Sequence, residues 1–148
     1  MPLIELRYPA TPEPRGRLLV GFSKSGWGAF TLLLRHPDLF GKAAAWDAPL
    51  DEQDPAKWRY FSQKFGTAEN LLQYRIDLLL RKRAPELRDA KRLVLMGYGL
   101  MREMYVRTHA LMVELNIPHD YVDGPRREHR WDTGWLEDAV RLLTDSFI

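Results

Sequence analysis

The chain has 148 residues, of which 45% are hydrophobic and 28% charged, with a formal net charge of +2 and no cysteine. That size and balance fit one soluble globular domain with a proper core and exclude a disordered chain. Disulfides and thiolate metal sites are excluded, and mixed charges without a basic, aromatic-interleaved stripe argue against nucleic acid as a partner. No apolar run approaches the about 18 residues that a membrane span requires. Met1-Pro2-Leu3-Ile4-Glu5 lacks the charged-then-apolar layout of a signal peptide, so the expected location is cytoplasmic.

In chain order, Leu3 to Tyr8 alternates as a short strand or extended arm would, and the proline-bearing stretch from Pro9 to Gly16 reads as a connector without helix, so that residues 1–16 form an N-terminal arm. Arg17 to Phe22 is apolar without alternation, the pattern of a buried parallel strand. A helix apolar on nearly all sides (Phe30, Leu32, Leu33, Leu34) is expected from about Gly26 until Pro37 stops it. Lys42 to Trp46 reads as a second strand, ending in Asp47-Ala48-Pro49. Residues 51–66 are polar with embedded aromatics, a lid-like loop or a surface loop anchored by those rings. Thr67 is placed to cap a helix running to about Arg83, with Leu71, Leu72, Ile76, Leu79 and Leu80 as its stripe. Leu93 to Met96 is a third strand, residues 101–116 a helix, His119 to Val122 a fourth strand, and Thr133 to Leu143 a last amphipathic helix. Strands alternating with helices point to an α/β domain with a mostly parallel sheet of about four strands and flanking helices.

The chemistry-bearing stretch is Gly21-Phe22-Ser23-Lys24-Ser25-Gly26-Trp27-Gly28-Ala29. A strand that ends in Gly-x-Ser-x-small and runs into a helix is the layout of a nucleophile elbow, where a sharp turn needs small residues two positions to either side of the serine. Ser23 is then the candidate nucleophile, and Ser25, standing where small size is needed, ranks below it. The backbone N–H of Lys24 lies where an oxyanion donor belongs. Asp47 follows a strand, at the end where ligands and catalytic groups gather in parallel sheets; as a turn residue before Pro49 it would have a purely structural role. His36 reads as a helix-end residue, and His109 and His119 as structural histidines.

The run from Gly21 through "LLLRHPDLFGKAAAWDAPL" resembles the esterase-D-like branch of the α/β-hydrolase superfamily, and "DGPRREHRWDTGW" resembles that family's catalytic-histidine loop. The resemblance covers roughly residues 17 to 145. It implies a truncated α/β-hydrolase fold whose strands correspond to the fifth to eighth of an eight-stranded sheet. It also implies hydrolysis of small carboxylic esters through an acyl-serine intermediate, without a cofactor. His129 would be the general base, with Trp131 and Trp135 walling its pocket and Trp27 and Trp131 as substrate-binding residues. The family's acid follows the strand that is third here, where "GYGLMREMY" offers only Glu103, so Glu103 and Asp47 both stand as candidates for the third triad member. Ser25 replaces a family glycine, and the loop that supplies the second oxyanion donor has no counterpart. Arg102, Arg126 and Arg127 are candidates to face the same pocket, with solvated surface arginines as the alternative. Two other functions compete: a hydrolase remnant serving as a binding or assembly module, and a metal-dependent hydrolase using histidines with Asp47, Asp120 or Asp123. Because the first strand would present an open edge, a homodimer is expected through that edge and the N-terminal arm, with the partner closing the active-site rim.

Overall fold

The computed structural model describes residues 2–52, 57 and 63–145. The parallel sheet has the order β1-β2-β3-β4, with β1 at Leu18–Phe22, β2 at Lys42–Trp46, β3 at Leu93–Met96 and β4 at His119–Val122. All three pairings are parallel, with Val20 beside Ala44, Ala44 beside Val94, and Val94 beside Asp120. Crossovers run through α2 (Lys24–Arg35), then the short α3 (Ala68–Leu72) and α4 (Ile76–Arg83), then α5 (Arg102–Glu114). The last helix, α6, spans Trp135–Thr144.

Strand periodicity divides the core into two layers. Ala43, Ala45, Leu93 and Leu95 meet Phe30, Leu33 and Leu34 of α2, Leu79 and Leu80 of α4, and Tyr105 and Met112 of α5. Ala44, Trp46, Val94 and Met96 point the other way, onto Trp135, Ala139 and Leu143 of α6. With both faces covered, the inner strands have no reason to alternate in polarity, which is why β2 and β3 read as continuous apolar runs. The alanines of β2 let α2 approach the sheet closely.

Three expectations change. Pro2–Arg7 is a helix, α1, rather than a strand or extended arm. Proline suits a first helical position, no strand pairs with this segment among the described residues, and Glu5 instead makes an ion pair with Arg17 beside β1. The helix expected from Thr67 to Arg83 is two helices. Thr67 does cap α3, its Oγ1 accepting from the Asn70 N–H at 3.1 Å, but Arg75 is extended. This break brings the Tyr74 ring against Phe65 and Trp27 and under the Arg35 guanidinium. The connector from Pro9 contains one 3-10 turn at Pro14–Gly16. Most of the lid-like loop at 51–66 lies outside the described residues.

β1 is an edge strand. Ser23 N–H donates to Trp46 O at 3.0 Å, so by alternation the N–H and C=O groups of Leu18, Val20 and Phe22 point away from β2. Those of Phe22 are taken by one side chain: its N–H donates to Ser25 Oγ at 3.0 Å, and the Ser25 hydroxyl donates back to Phe22 O at 2.8 Å. The serine at the family's glycine position therefore closes the end of the sheet edge. The groups of Leu18 and Val20 stay open among the described residues, and the Val20 side chain is exposed.

At the opposite edge, His119 Nδ1 lies 2.7 Å from Ile117 O and its Nε2 lies 2.8 Å from His109 Nδ1, while the His109 ring stacks on Tyr121. A carbonyl can only accept, so Nδ1 of His119 carries the hydrogen and its Nε2 accepts from His109. Burial holds His119 below the ordinary value of 6.5; His109 and Lys91 act in the same direction, whereas Asp120 and the Ile117 carbonyl oppose them. Below about pH 6.5 the unfolded chain takes up this proton more readily than the folded one, so stability falls as pH falls. The melting temperature should drop between pH 7 and pH 5, and a His119→Gln variant should show a flatter profile over that window.

Candidate active site

Each strand delivers one part of the site at its carboxyl end, the rim where parallel α/β sheets gather their functional groups. Ser23 follows β1 directly, with φ 54° and ψ −124°, and serves as the N-cap of α2. A β-carbon at Gly21 would lie 2.2 Å from Ser25 O and 2.4 Å from Gly26 N. Only glycine therefore lets strand and helix meet this tightly. The helix starts at Lys24, earlier than Gly26, and the first N–H groups of a helix have no partner within it. Lys24 N–H thus stands beside the Ser23 side chain at the positive end of a twelve-residue helix.

Asp47 follows β2. It is fully buried, has φ 40°, and donates its own N–H to Met96 O at 3.1 Å. Its carboxylate takes hydrogen bonds from Leu100 N–H at 2.9 Å to Oδ2 and from Met101 N–H at 2.7 Å to Oδ1. Oδ2 also lies 2.6 Å from His129 Nδ1. An ionised carboxylate only accepts, so Nδ1 carries the hydrogen and Nε2 is left as an acceptor. The neighbouring Ala48 N–H donates to the buried Tyr105 hydroxyl at 3.0 Å. Burial pushes that phenol well above its usual range, and the nearby Asp47 charge adds to the effect.

His129 sits in the loop after β4 and is 30% exposed. Its ring packs on Phe22, the residue before Ser23, at 4.6 Å between centroids. The loop is anchored on both sides. Arg127 N–H donates to Tyr98 O at 3.0 Å and its guanidinium to Asp138 at 2.6 Å, while Trp135 Nε1 donates to Trp131 O at 3.0 Å. Ser23 Oγ makes no hydrogen bond to His129 in this arrangement.

The remaining candidates fall apart from this group. Glu103 is exposed on the first turn of α5 and makes no hydrogen bond to His129. Ser25 is engaged with Phe22. Trp27, one turn beyond Ser23, packs among Phe65 and Tyr74, and Trp131 is largely exposed, edge-on to Trp135. Arg102 pairs with Asp123 and Arg127 with Asp138, while Arg126 is exposed. Among the described residues no three His, Asp or Glu side chains converge as a metal site requires. None of the described helices is long and apolar enough to cross a membrane. A cavity of about 840 Å³ lies at the opposite end of the strands, beside Lys42, Lys91 and Arg92. Those cations are already engaged by Leu142 O, by Asp120 and by backbone carbonyls. Sequence reasoning passed over the Gly99–Met101 backbone that holds Asp47; the Gly-x-Gly after β3 was its only signal.

The family model described as putative esterase matches residues 1–97. The chain belongs to that family. No curated protein matches it. Among solved structures, this esterase-family chain is similar to an S-formylglutathione hydrolase from Staphylococcus aureus at 20% identity and TM-score 0.71, covering 97% of this chain and 55% of that one. A ferulic acid esterase matches at 18% identity and TM-score 0.73, covering 99% and 58%. The fluorophosphonate-binding serine hydrolase F of Staphylococcus aureus, solved with substrate bound, matches at 18% and 0.68, covering 97% and 58%. The fold is thus a truncated α/β-hydrolase fold, and the chain spans a little over half the length of these structures.

The elbow makes a direct prediction. Gly21→Ala places a methyl group against the Ser25 carbonyl, an overpacking expected to cost roughly 1–3 kcal/mol or more. Thermal denaturation should show a clear loss of stability, whereas Gly28→Ala, where an added carbon meets nothing within 4 Å, should show little.

Proposed function

We propose that this protein hydrolyses small carboxylic esters through an acyl-serine intermediate. The observation that carries the reading is the 2.6 Å contact between His129 Nδ1 and the buried Asp47 carboxylate, on the rim where Ser23 occupies a strained turn. Membership of the esterase family supports the reaction class. In the proposed sequence His129 Nε2 takes the Ser23 hydroxyl proton as Oγ attacks the ester carbonyl, and Asp47 stabilises the imidazolium. Lys24 N–H donates to the developing oxyanion. Collapse expels the alcohol, which takes the proton from His129, and water then repeats the cycle on the acyl-enzyme. Neither a metal nor a cofactor enters these steps. Phe22, whose ring packs on His129, offers apolar surface for the ester.

Assays on short-chain aryl esters test the reading. Ser23→Ala and His129→Ala should each lower kcat by several orders of magnitude, Ser23→Ala with little change in stability, and a fluorophosphonate probe should label the parent at Ser23 but not Ser23→Ala. Asp47→Asn should also lower kcat strongly, while Glu103→Gln should leave it near the parent value. Full activity in Ser23→Ala would overturn the mechanism.

A second copy of the chain is the partner proposed for the β1 edge. The open groups belong to Leu18 and Val20, so a two-fold axis at Leu19 sets each against the other in the second copy. An antiparallel ladder of this kind closes every open group. The Ser25 cap on Phe22 favours such a short ladder over a partner strand running on to the elbow. Light scattering at micromolar concentration should find a dimer, and Val20→Lys, a charge on the shared edge, should give a monomer. A parent protein that is monomeric and active would overturn it.

A further inference from the structure

The turn after β3 contributes no side chain to the proposed triad, yet it surrounds one of its members. Leu100 N–H and Met101 N–H each hold a different oxygen of Asp47, at 2.9 and 2.7 Å. Gly99 directly precedes them, so close to the carboxylate that a β-carbon there would stand 2.5 Å from Oδ2 and 2.7 Å from Cγ. Its neighbour Gly97 lies against the ring of Tyr105 instead, where a β-carbon would meet it at 3.2 Å. At Gly99 the space is required by the carboxylate itself.

We propose that Gly99 is a positioning residue for ester hydrolysis. The Gly99–Met101 turn acts as a receptor for a carboxylate that arrives from the neighbouring strand. The argument is geometric. A carboxylate just after β2 can rotate about its last torsion, and one contact with His129 leaves that rotation open. Two N–H donors, one on each oxygen, define the plane and turn Oδ2 toward Nδ1. They also satisfy a charged group that has no access to water, where an unpaired carboxylate is strongly unfavourable. The family resemblance places the acid on this very turn; here the turn carries the donors and Asp47 carries the charge. This inference rests on reading His129 as the general base.

The test is Gly99→Ala, read by steady-state kinetics on an aryl ester and by the proton NMR signal of the His129 Nδ1–H, which a carboxylate partner moves downfield. The expected result is a fall in kcat of about 10²-fold, the scale of a misplacement of about 1 Å in a catalytic array, with KM within about twofold and the downfield signal lost. If Gly99 acts through Asp47, adding Gly99→Ala to Asp47→Asn should cost less than about threefold more, because coupled residues do not multiply their effects. Gly97→Ala crowds the same turn against Tyr105 and should keep the signal. An unchanged signal and kcat in folded Gly99→Ala, fully multiplicative losses in the double variant, or loss of the signal in Gly97→Ala as well would each overturn the proposal. If Gly99→Ala does not fold, replacing Met101 by its α-hydroxy analogue deletes only the donor to Oδ1; an unchanged signal there overturns the proposal equally. The readouts separate the two layers, since an active Ser23→Ala would sink the serine mechanism while leaving the His129 signal in place.

Discussion

Asp47 has no exposed surface, and a buried carboxylate must find its donors within the protein. An isolated charge of this kind would lose far more in hydration than any fold of this size recovers. Three donors meet it, from Leu100, Met101 and His129. They come from the segments that follow β3 and β4, while the carboxylate itself follows β2. One group thereby ties together the ends of three strands. If it moves, the turn after β3 loses its contents and the imidazole loses its orienting partner. The left-handed backbone at Asp47, uncommon for a residue with a side chain, is held in place by the same bonds.

The two-layer core makes this convergence reproducible. On one face, Tyr105 of α5 fills the space beneath Gly97 and takes the N–H of Ala48, so the helix after β3 braces both the turn and the residue that follows Asp47. On the other face, Trp135 of α6 stacks on Trp46, lies near Phe22 and hydrogen-bonds Trp131 O, binding the histidine loop to the sheet. Phe22 completes the link, since its ring lies against both Trp135 and His129 while its backbone leads directly into Ser23. Ser25 has an unrelated task within the same turn. It closes the backbone groups of Phe22 at the sheet edge, where an unpaired strand is open to association.

Much of the architecture was legible in the residues. All four strands lie within about a residue of where the sequence places them; for the inner β2 and β3 this is because strands covered on both faces write burial directly into composition. The turn at Ser23 was legible too, since Gly21 and Ser25 supply the small residues that a sharp strand-to-helix turn needs on either side of the serine. The N-terminal segment was not. Over six residues, Leu3, Leu6 and Tyr8 suit a short strand or a helix about equally well, and only the absence of a pairing strand among the described residues decided the matter. The break at Arg75 escaped for a related reason: the apolar spacing on either side is helical, and the break exists to place Tyr74 among Trp27, Phe65 and Arg35.

The sequence by itself determined a parallel α/β sheet and a tight turn at the serine after its first strand, because both depend on local pattern; the histidine loop after the last strand came from the family resemblance. Which carboxylate stands against His129 was undecided between Asp47 and Glu103, and the role of the turn after β3 was invisible. Both depend on sheet order and side-chain direction. Those emerge only when segments distant in the chain pack together and a buried charge must find its donors.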